Sequence, residues 1–273
     1  MDVKCEGGIK LIKKILVMGV IILFLCLNIN QSSGTIIKKT SSTNIGYSGY
    51  IQDLIDNASD GDTIYIPSGT YYENIFIDKS ISLIGEDKNN TIIDGSREFS
   101  VVGIVNIDEV NISGFTIRNG EYGITTRSVK NITISGNNIV SNNGIGVNLI
   151  SSNFNTIKGN IITLNNYTGI SIMADPFGPE PCDYNIVKNN NITSNNGYGI
   201  ILSKSNFNII IENNFINNEK DAFIIVSFQN RWKQNYWDRS RILPKLIFGL
   251  NLFSILWFNV DWHPAKEPYD IDV

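Results

Sequence analysis

The segment ADPFGPEPCD (174–183) holds three carboxylates, Asp175, Glu180 and Asp183, and one aromatic ring, Phe177, on a stretch stiffened by three prolines. A stiff acidic loop can bind a cation or a sugar hydroxyl. These four residues are therefore the candidate ligand-binding set, with calcium as the candidate cofactor; neutral drift of a surface loop is the competing reading. A catalytic set is harder to assemble. Glycoside hydrolysis needs two carboxylates about 5 to 9.5 Å apart. The acids between 111 and 230 are Glu121, Asp175, Glu180, Asp183, Glu212, Glu219 and Asp221, and no two share a position in the repeat that runs through this region. Arg118 and Arg127 face no row of acids and read as surface charges, so no catalytic residue is assigned.

The scaffold that must position the loop is visible as a repeat. Ile124, Val147, Ile170, Ile200 and Ile224 form one column, and Thr126, Leu149, Ile172, Leu202 and Val226 another. Ile112, Ile134, Ile157, Val187, Ile211 and Ile117, Ile139, Ile162, Ile192, Ile216 keep nearly the same steps of about 23 residues, with one step of 30. Such a period signals a solenoid. Apolar residues alternate within each unit, as in Ile145, Val147 and Leu149, and Asn and Gly separate the runs, which is strand and turn texture rather than helix. The fold class is all-β: a single-domain parallel β-helix with about 23 residues per rung. The longer step carries the 174–183 loop, and solenoid insertions go to loops, often on a binding face.

Two asparagine columns follow the period: Asn131, Asn155, Asn185, Asn208, Asn230 and Asn137, Asn160, Asn190, Asn214. Stacked amides donate and accept along the axis, so these are expected to be structural ladders. N-x-S/T triplets begin at Asn57, Asn89, Asn111, Asn131, Asn166 and Asn191. A ladder position argues against modification of Asn131, and turn positions such as Asn89 and Asn166 are the better acceptors.

Ile51, Leu54, Ile55 and Ala58 predict a short amphipathic helix that caps the open front of the solenoid. Beyond Asn230 the period is expected to fail. The tail holds Trp232, Trp237, Trp257 and Trp262 and reads as the rear cap, with an aromatic ligand platform as the alternative. Residues 1–33 read as a signal peptide: Lys10, Lys13 and Lys14 precede the apolar run 15–27, which is shorter than the ~20 residues of a membrane span. Residues 34–49 form a linker, 50–230 the β-helix and 231–273 the rear cap. Removing the leader takes out four lysines and two acids and moves the charge from −4 to −6. An exported, acidic chain is a poor nucleic-acid binder, and its membrane contact is limited to the leader. Cys5 and Cys26 leave with the leader, so Cys182 has no partner for a disulfide.

The stretch 50–95, YIQDLIDNASDGDTIYIPSGTYYENIFIDKSISLIGEDKNNTIIDG, resembles the entry segment of right-handed parallel β-helix proteins of the pectin-lyase-like superfamily, and most of all the NosD-type exported β-helix proteins. The NxI…NN…GI units from 111 to 230 and the NYWD element of the tail extend the likeness. The resemblance implies right-handedness. It does not imply one function, since the superfamily includes lyases, hydrolases, adhesins and accessory proteins. The Asp-Asp and Gly-His-Gly elements of polygalacturonases are missing, and the only histidine is His263. The NosD name implies a copper-linked role, yet copper favours His, Met and Cys. His263, Met173 and Cys182 are a thin supply, and no metal site is assigned.

Three functions remain open from sequence. The first is a non-catalytic secreted or cell-surface β-helix presenting an Asn-rich face to a polysaccharide or cell-envelope component. The second is a polysaccharide lyase or hydrolase with a degenerate site near 175–183. The third is an accessory protein for copper-enzyme maturation. The location expected for each is extracellular, periplasmic or cell-surface.

Overall fold

The computed structural model describes residues 36–38, 49–175, 177–251 and 255–271. The expected leader and most of the expected linker, with Cys5 and Cys26, lie outside the described residues. Residues 35–273 form one compact unit.

The chain winds through three strands per rung, and each strand pairs in parallel with its counterpart one rung on. One face of the prism is an eight-stranded sheet from Gly69–Tyr72 to Tyr236–Trp237. The other two faces join into an eighteen-stranded sheet. Of these, one face carries Ser82–Gly85, Asn111–Ser113, Thr133–Ser135, Thr156–Lys158, Ile186–Lys188 and Ile209–Ile211. The other carries Ser100–Val105, Tyr122–Arg127, Val147–Ile150, Ile170–Met173 and Tyr198–Ser203. Each strand contributes inward residues at a period of two, and stacking puts like on like. Ile117, Ile139, Ile162, Ile192 and Phe215 lie in register and are fully buried.

The corners follow one local rule. A residue with left-handed backbone is followed by an inward polar side chain that bonds the next rung. Ser141, Leu164, Ser194 and Asn217 have φ of 56°, 56°, 53° and 54°, and each is followed by an asparagine. Such a kinked corner cannot pair all its carbonyls within the sheet, so the amide side chain supplies the missing donor. Asn160 shows the pattern: its Nδ2 donates to Lys158 O within its own turn (3.1 Å) and to Ile134 O on the preceding rung (2.9 Å).

Ile51 and Ile55 are buried in the expected front helix, which spans Tyr50–Asp56. The Glu73 carboxylate accepts the N–H groups of Ile51 and Gln52, both at 3.0 Å, at its start. Lys79 Nζ donates to Ile55 O and Asp56 O at its end. Burial pushes the Glu73 carboxyl up, against the two N–H donors that favour its ionised form.

Four expectations about register need correction. Beyond Asn190 the equivalents are Ile210, Asn213 and Phe215, not Ile211, Asn214 and Ile216. Ile200 pairs with Ala222 and Leu202 with Ile224, so the last members of the first two columns move back by two. Asn131 stands outside the ladder, because Ile132 occupies the rung position before Asn155 and Asn131 is exposed. The rungs also continue past 230: Arg231–Lys233 and Tyr236–Trp237 each pair with the rung before. The rear cap is the antiparallel pair Lys245–Leu250 and Leu256–Asp261.

Candidate functional site

The 174–183 loop leaves the corner after Ile170–Met173, and its four candidate residues do not converge. Asp175 pairs with Arg127 Nη1, and its carboxylate also accepts the Phe177 N–H at 3.0 Å. That N–H first, and the guanidinium after it, hold the Asp175 carboxyl below its ordinary range. Phe177 is fully exposed. The Glu180 side chain points to solvent while its carbonyl accepts Ser151 Oγ at 3.1 Å. Asp183 is buried and works as a corner residue: its Oδ1 accepts Asn206 N at 2.6 Å, and its own N–H donates to Asn153 Oδ1 at 2.7 Å. Among the described residues no three His, Cys, Asp or Glu side chains come together as a metal would need.

Asparagines dominate the interior of the corners rather than a face. Asn155, Asn185, Asn208 and Asn230 form one ladder, each Oδ1 accepting the N–H and, except at the first, the Nδ2 of the rung before. Asn137, Asn160, Asn190, Asn213 and Asn235 form a second. A third ladder of Asn142, Asn165, Asn195 and Asn218 was not anticipated. Its sequence signal is the NN pair recurring at the same period: the first Asn of 142–143, 165–166 and 195–196 takes the ladder position, and the second of 217–218. Asn214 is buried beside the ladder and bonds Tyr269 instead.

Cys182 belongs to a fourth corner row with Ser152, Ser205 and Ser227. Its Sγ stands 3.1 Å from Ser152 O and accepts the Ser152 N–H at 3.3 Å, while Ser205 N–H donates to Ser227 Oγ in the same way two rungs on. Burial pushes the thiol up to about 12 from its ordinary 9.0. A thiol whose folded value is raised supports the fold fully below pH 9 and loses that support as pH climbs toward 12. Because serine already fills the equivalent positions, Cys182→Ser is expected to shift stability by less than about 1 kcal/mol. Thermal unfolding of the variant checks this, and a large loss would show that the sulfur is packed for its size rather than its polarity.

One outward row does collect uncompensated chemistry. Ser113, Ser135, Lys158 and Lys188 follow each other in register on successive rungs. With Gly136, Gly159 and Asn189 they line a shallow, open groove of ≈ 360 Å³. Neighbouring rungs lie about 4.8 Å apart, so the two lysines stand on adjacent positions of one outward row. Neither lysine has a carboxylate within ion-pair reach among the described residues, whereas Arg118, Arg127 and Lys245 each have one. Like charges directly opposite each other in a sheet are unfavourable. An anion lying in the groove would relieve that repulsion. No carboxylate lines the groove, so it offers cations and hydroxyls but no acid–base pair.

Comparison with known proteins agrees with the architecture. The chain is 38% identical over 92 residues to a cell surface glycoprotein of Methanothermus fervidus, a stretch that is 33% of this chain and 15% of that relative. It spans about a seventh of that protein's length. Among solved structures, a Geobacillus virus E2 protein, ORF18, superposes with a TM-score of 0.59 at 16% identity, covering 72% of this chain and 50% of the other. An alginate lyase from Paenibacillus sp. str. FPU-7 gives 0.49 at 15% identity over 71% of this chain and 87% of the lyase. The family model described as "Periplasmic copper-binding protein (NosD)" matches residues 28–243. Copper takes thiolate, thioether and imidazole donors. Here the one described thiol is a protonated corner group, and the single histidine, His263, sits after the last strand of the rear cap. The described residues do not fit a copper centre.

Proposed function

Since this chain belongs to the NosD family, whose model matches residues 28–243, we propose that it is an exported, non-catalytic β-helix that holds an acidic carbohydrate polymer of the cell envelope along the row Ser113–Ser135–Lys158–Lys188. The observation that carries this reading is the unpaired lysine couple in register with two serines along a shallow groove that crosses the rungs. A linear polymer laid along the solenoid axis meets one rung after another. Its hydroxyls face serines at one end and its carboxylates face ammonium groups at the other. The binding face is therefore made of serines and lysines, because most of the ladder asparagines are turned inward. Two of the acids weighed for hydrolysis are ion-paired, Asp175 with Arg127 and Asp221 with Lys245, and Asp183 is bonded into a corner.

The test is equilibrium binding of the full chain to a soluble polyuronate and to a neutral glucan of similar length. The polyuronate is expected to bind more tightly, and less so as salt is raised, since both lysines are exposed. Exposed charge contacts contribute up to about 1 kcal/mol each, so Lys158→Ser/Lys188→Ser is expected to weaken binding roughly tenfold. Equal binding of the neutral polymer, or an unaffected double variant, would overturn the assignment. Shortened polymer after incubation would replace the non-catalytic reading with an enzymatic one.

A further inference from the structure

We propose that Asn131 is a site of N-linked glycosylation whose first sugar packs on the ring of Phe154. The triplet Asn131–Ile132–Thr133 has the acceptor pattern. Five other asparagines have it too, and the structure separates them. Asn57 donates to Asp53 O (2.7 Å) and Asn111 donates to Ser82 Oγ (3.2 Å). Asn89, Asn166 and Asn191 accept from the amides of Asn138, Asn196 and Asn214. Asn131 alone makes no side-chain hydrogen bond among the described residues. It is exposed at a left-handed corner with φ 57°. An amide that holds nothing in place can carry a substituent without loss to the fold.

The surroundings of Asn131 are unusual. Ile132 N–H donates to Asn155 Oδ1, so residue 131 is the rung equivalent of 154. From there Phe154, Tyr184 and Phe207 stack on consecutive rungs, with centroids 5.2 and 5.0 Å apart and planes within 6°. These rings remain 54%, 47% and 41% exposed. Tyr184 and Phe207 cover each other, but among the described residues no ring stacks on the face of Phe154 toward Asn131. Aromatic faces are electron-rich and attract the partly positive C–H edges of a sugar ring. A sugar attached at Asn131 would thus continue the stack by one member, at the position where the aromatic row gives way to asparagine.

In the transfer, the amide nitrogen of Asn131 bonds to C1 of a sugar carried on a lipid-linked phosphate or pyrophosphate donor. The C1–O bond breaks, the phosphate leaves with the electron pair, and the nitrogen gives up one proton; no oxidation occurs. Such transfer belongs to exported chains. Thr133, the hydroxyl residue of the triplet, is partly exposed and makes no side-chain hydrogen bond among the described residues.

The experiment is peptide mass mapping of the full chain after export from a host that glycosylates N-x-S/T triplets. Asn131 is expected to be the most occupied of the six sites, and Asn131→Gln to remove that mass alone. The unglycosylated Asn131→Gln protein should melt with the unglycosylated parent, because the side chain holds no ladder. The glycosylated parent should melt higher than its unglycosylated form, and Phe154→Ala should abolish that difference while leaving occupancy in place. An empty Asn131, whether or not the other sites are filled, overturns the proposal. An undiminished glycan-dependent shift in Phe154→Ala overturns the contact with the ring.

Discussion

Asp261→Ala is expected to lower stability by about 3–5 kcal/mol and the melting temperature by roughly 10 °C. The side chain is completely buried and ends the ladder that begins at Asn137. At every step of that ladder an Asn Oδ1 accepts the N–H of the preceding asparagine, and from Asn137 onward its Nδ2 as well, so the amide dipoles all point the same way. The last asparagine, Asn235, gives its N–H and Nδ2 to Asp261 Oδ2 at 3.0 and 3.1 Å, and Trp237 Nε1 joins them at 3.1 Å. Asp261 Oδ1 takes Gln234 N–H at 3.1 Å and His263 N–H at 3.3 Å. A final acceptor has nothing further to donate to, which a carboxylate satisfies and an amide does not. Asp261→Asn is accordingly expected to cost less, about 1–3 kcal/mol, since one oxygen keeps the ladder while the NH₂ meets donors. Equal melting temperatures for parent and Asp261→Ala would show that the ladder closes without an anion.

The interior of this fold was legible because burial repeats. Ile134, Ile157 and Val187 must face inward on every rung, so their types recur and their spacing reads directly. The register is ambiguous where the chain offers the same residue twice running. In NIIIENNFI (208–216), Ile210 and Ile211, Asn213 and Asn214, and Phe215 and Ile216 are chemically near-equivalent neighbours. A shift of one residue exchanges inside for outside while keeping every residue type plausible. The shift changes the step by a single residue, from 23 to 24. Asn131 went wrong for the same reason at the other end. An asparagine next to a ladder position resembles one in it, and only the Ile132 N–H bond to Asn155 places the register.

The outward rows were harder. Solvent does not select one residue type, so the row Ser113, Ser135, Lys158, Lys188 has no compositional signature, although its period could have been followed from Ile112, Ile134, Ile157 and Val187, each one residue earlier. The acidic loop drew attention through its break in the period and its carboxylates. Once folded, Asp175 is tied to Arg127, and Asp183 is spent on a corner. The row Phe154, Tyr184, Phe207 was equally periodic, at steps of 30 and 23 residues. Its significance depends on knowing that these residues sit at left-handed corners, with φ 58°, 57° and 55°, where rings project outward.

The triplet Asn189–Asn190–Asn191 tests the register with three chemically identical residues in three environments. Asn189 is the exposed left-handed corner, with φ 53°; Asn190 is fully buried; Asn191 begins a strand. Asn190 Oδ1 accepts the N–H and Nδ2 of Asn160, both at 3.0 Å. Its own Nδ2 is bonded to Ile157 O (2.9 Å), Lys188 O (3.0 Å) and Asn213 Oδ1 (2.9 Å). Alanine at 190 strands the buried N–H of Asn160 and the carbonyl of Ile157 far from water. With about 1–3 kcal/mol for each orphaned group, Asn190→Ala is expected to cost about 3–6 kcal/mol. Asn191 only accepts one 3.3 Å bond from Asn214, so Asn191→Ala should cost less than about 1 kcal/mol. Each rung touches only its neighbours. The loss at 190 should therefore appear first as faster amide exchange at Asn160, Asn190 and Asn213, before the front of the solenoid is affected. If Asn191→Ala proved the costlier change, the rungs from here to Trp237 would be paired one residue out of step, and the ladder ending at Asp261 would have to be redrawn with them.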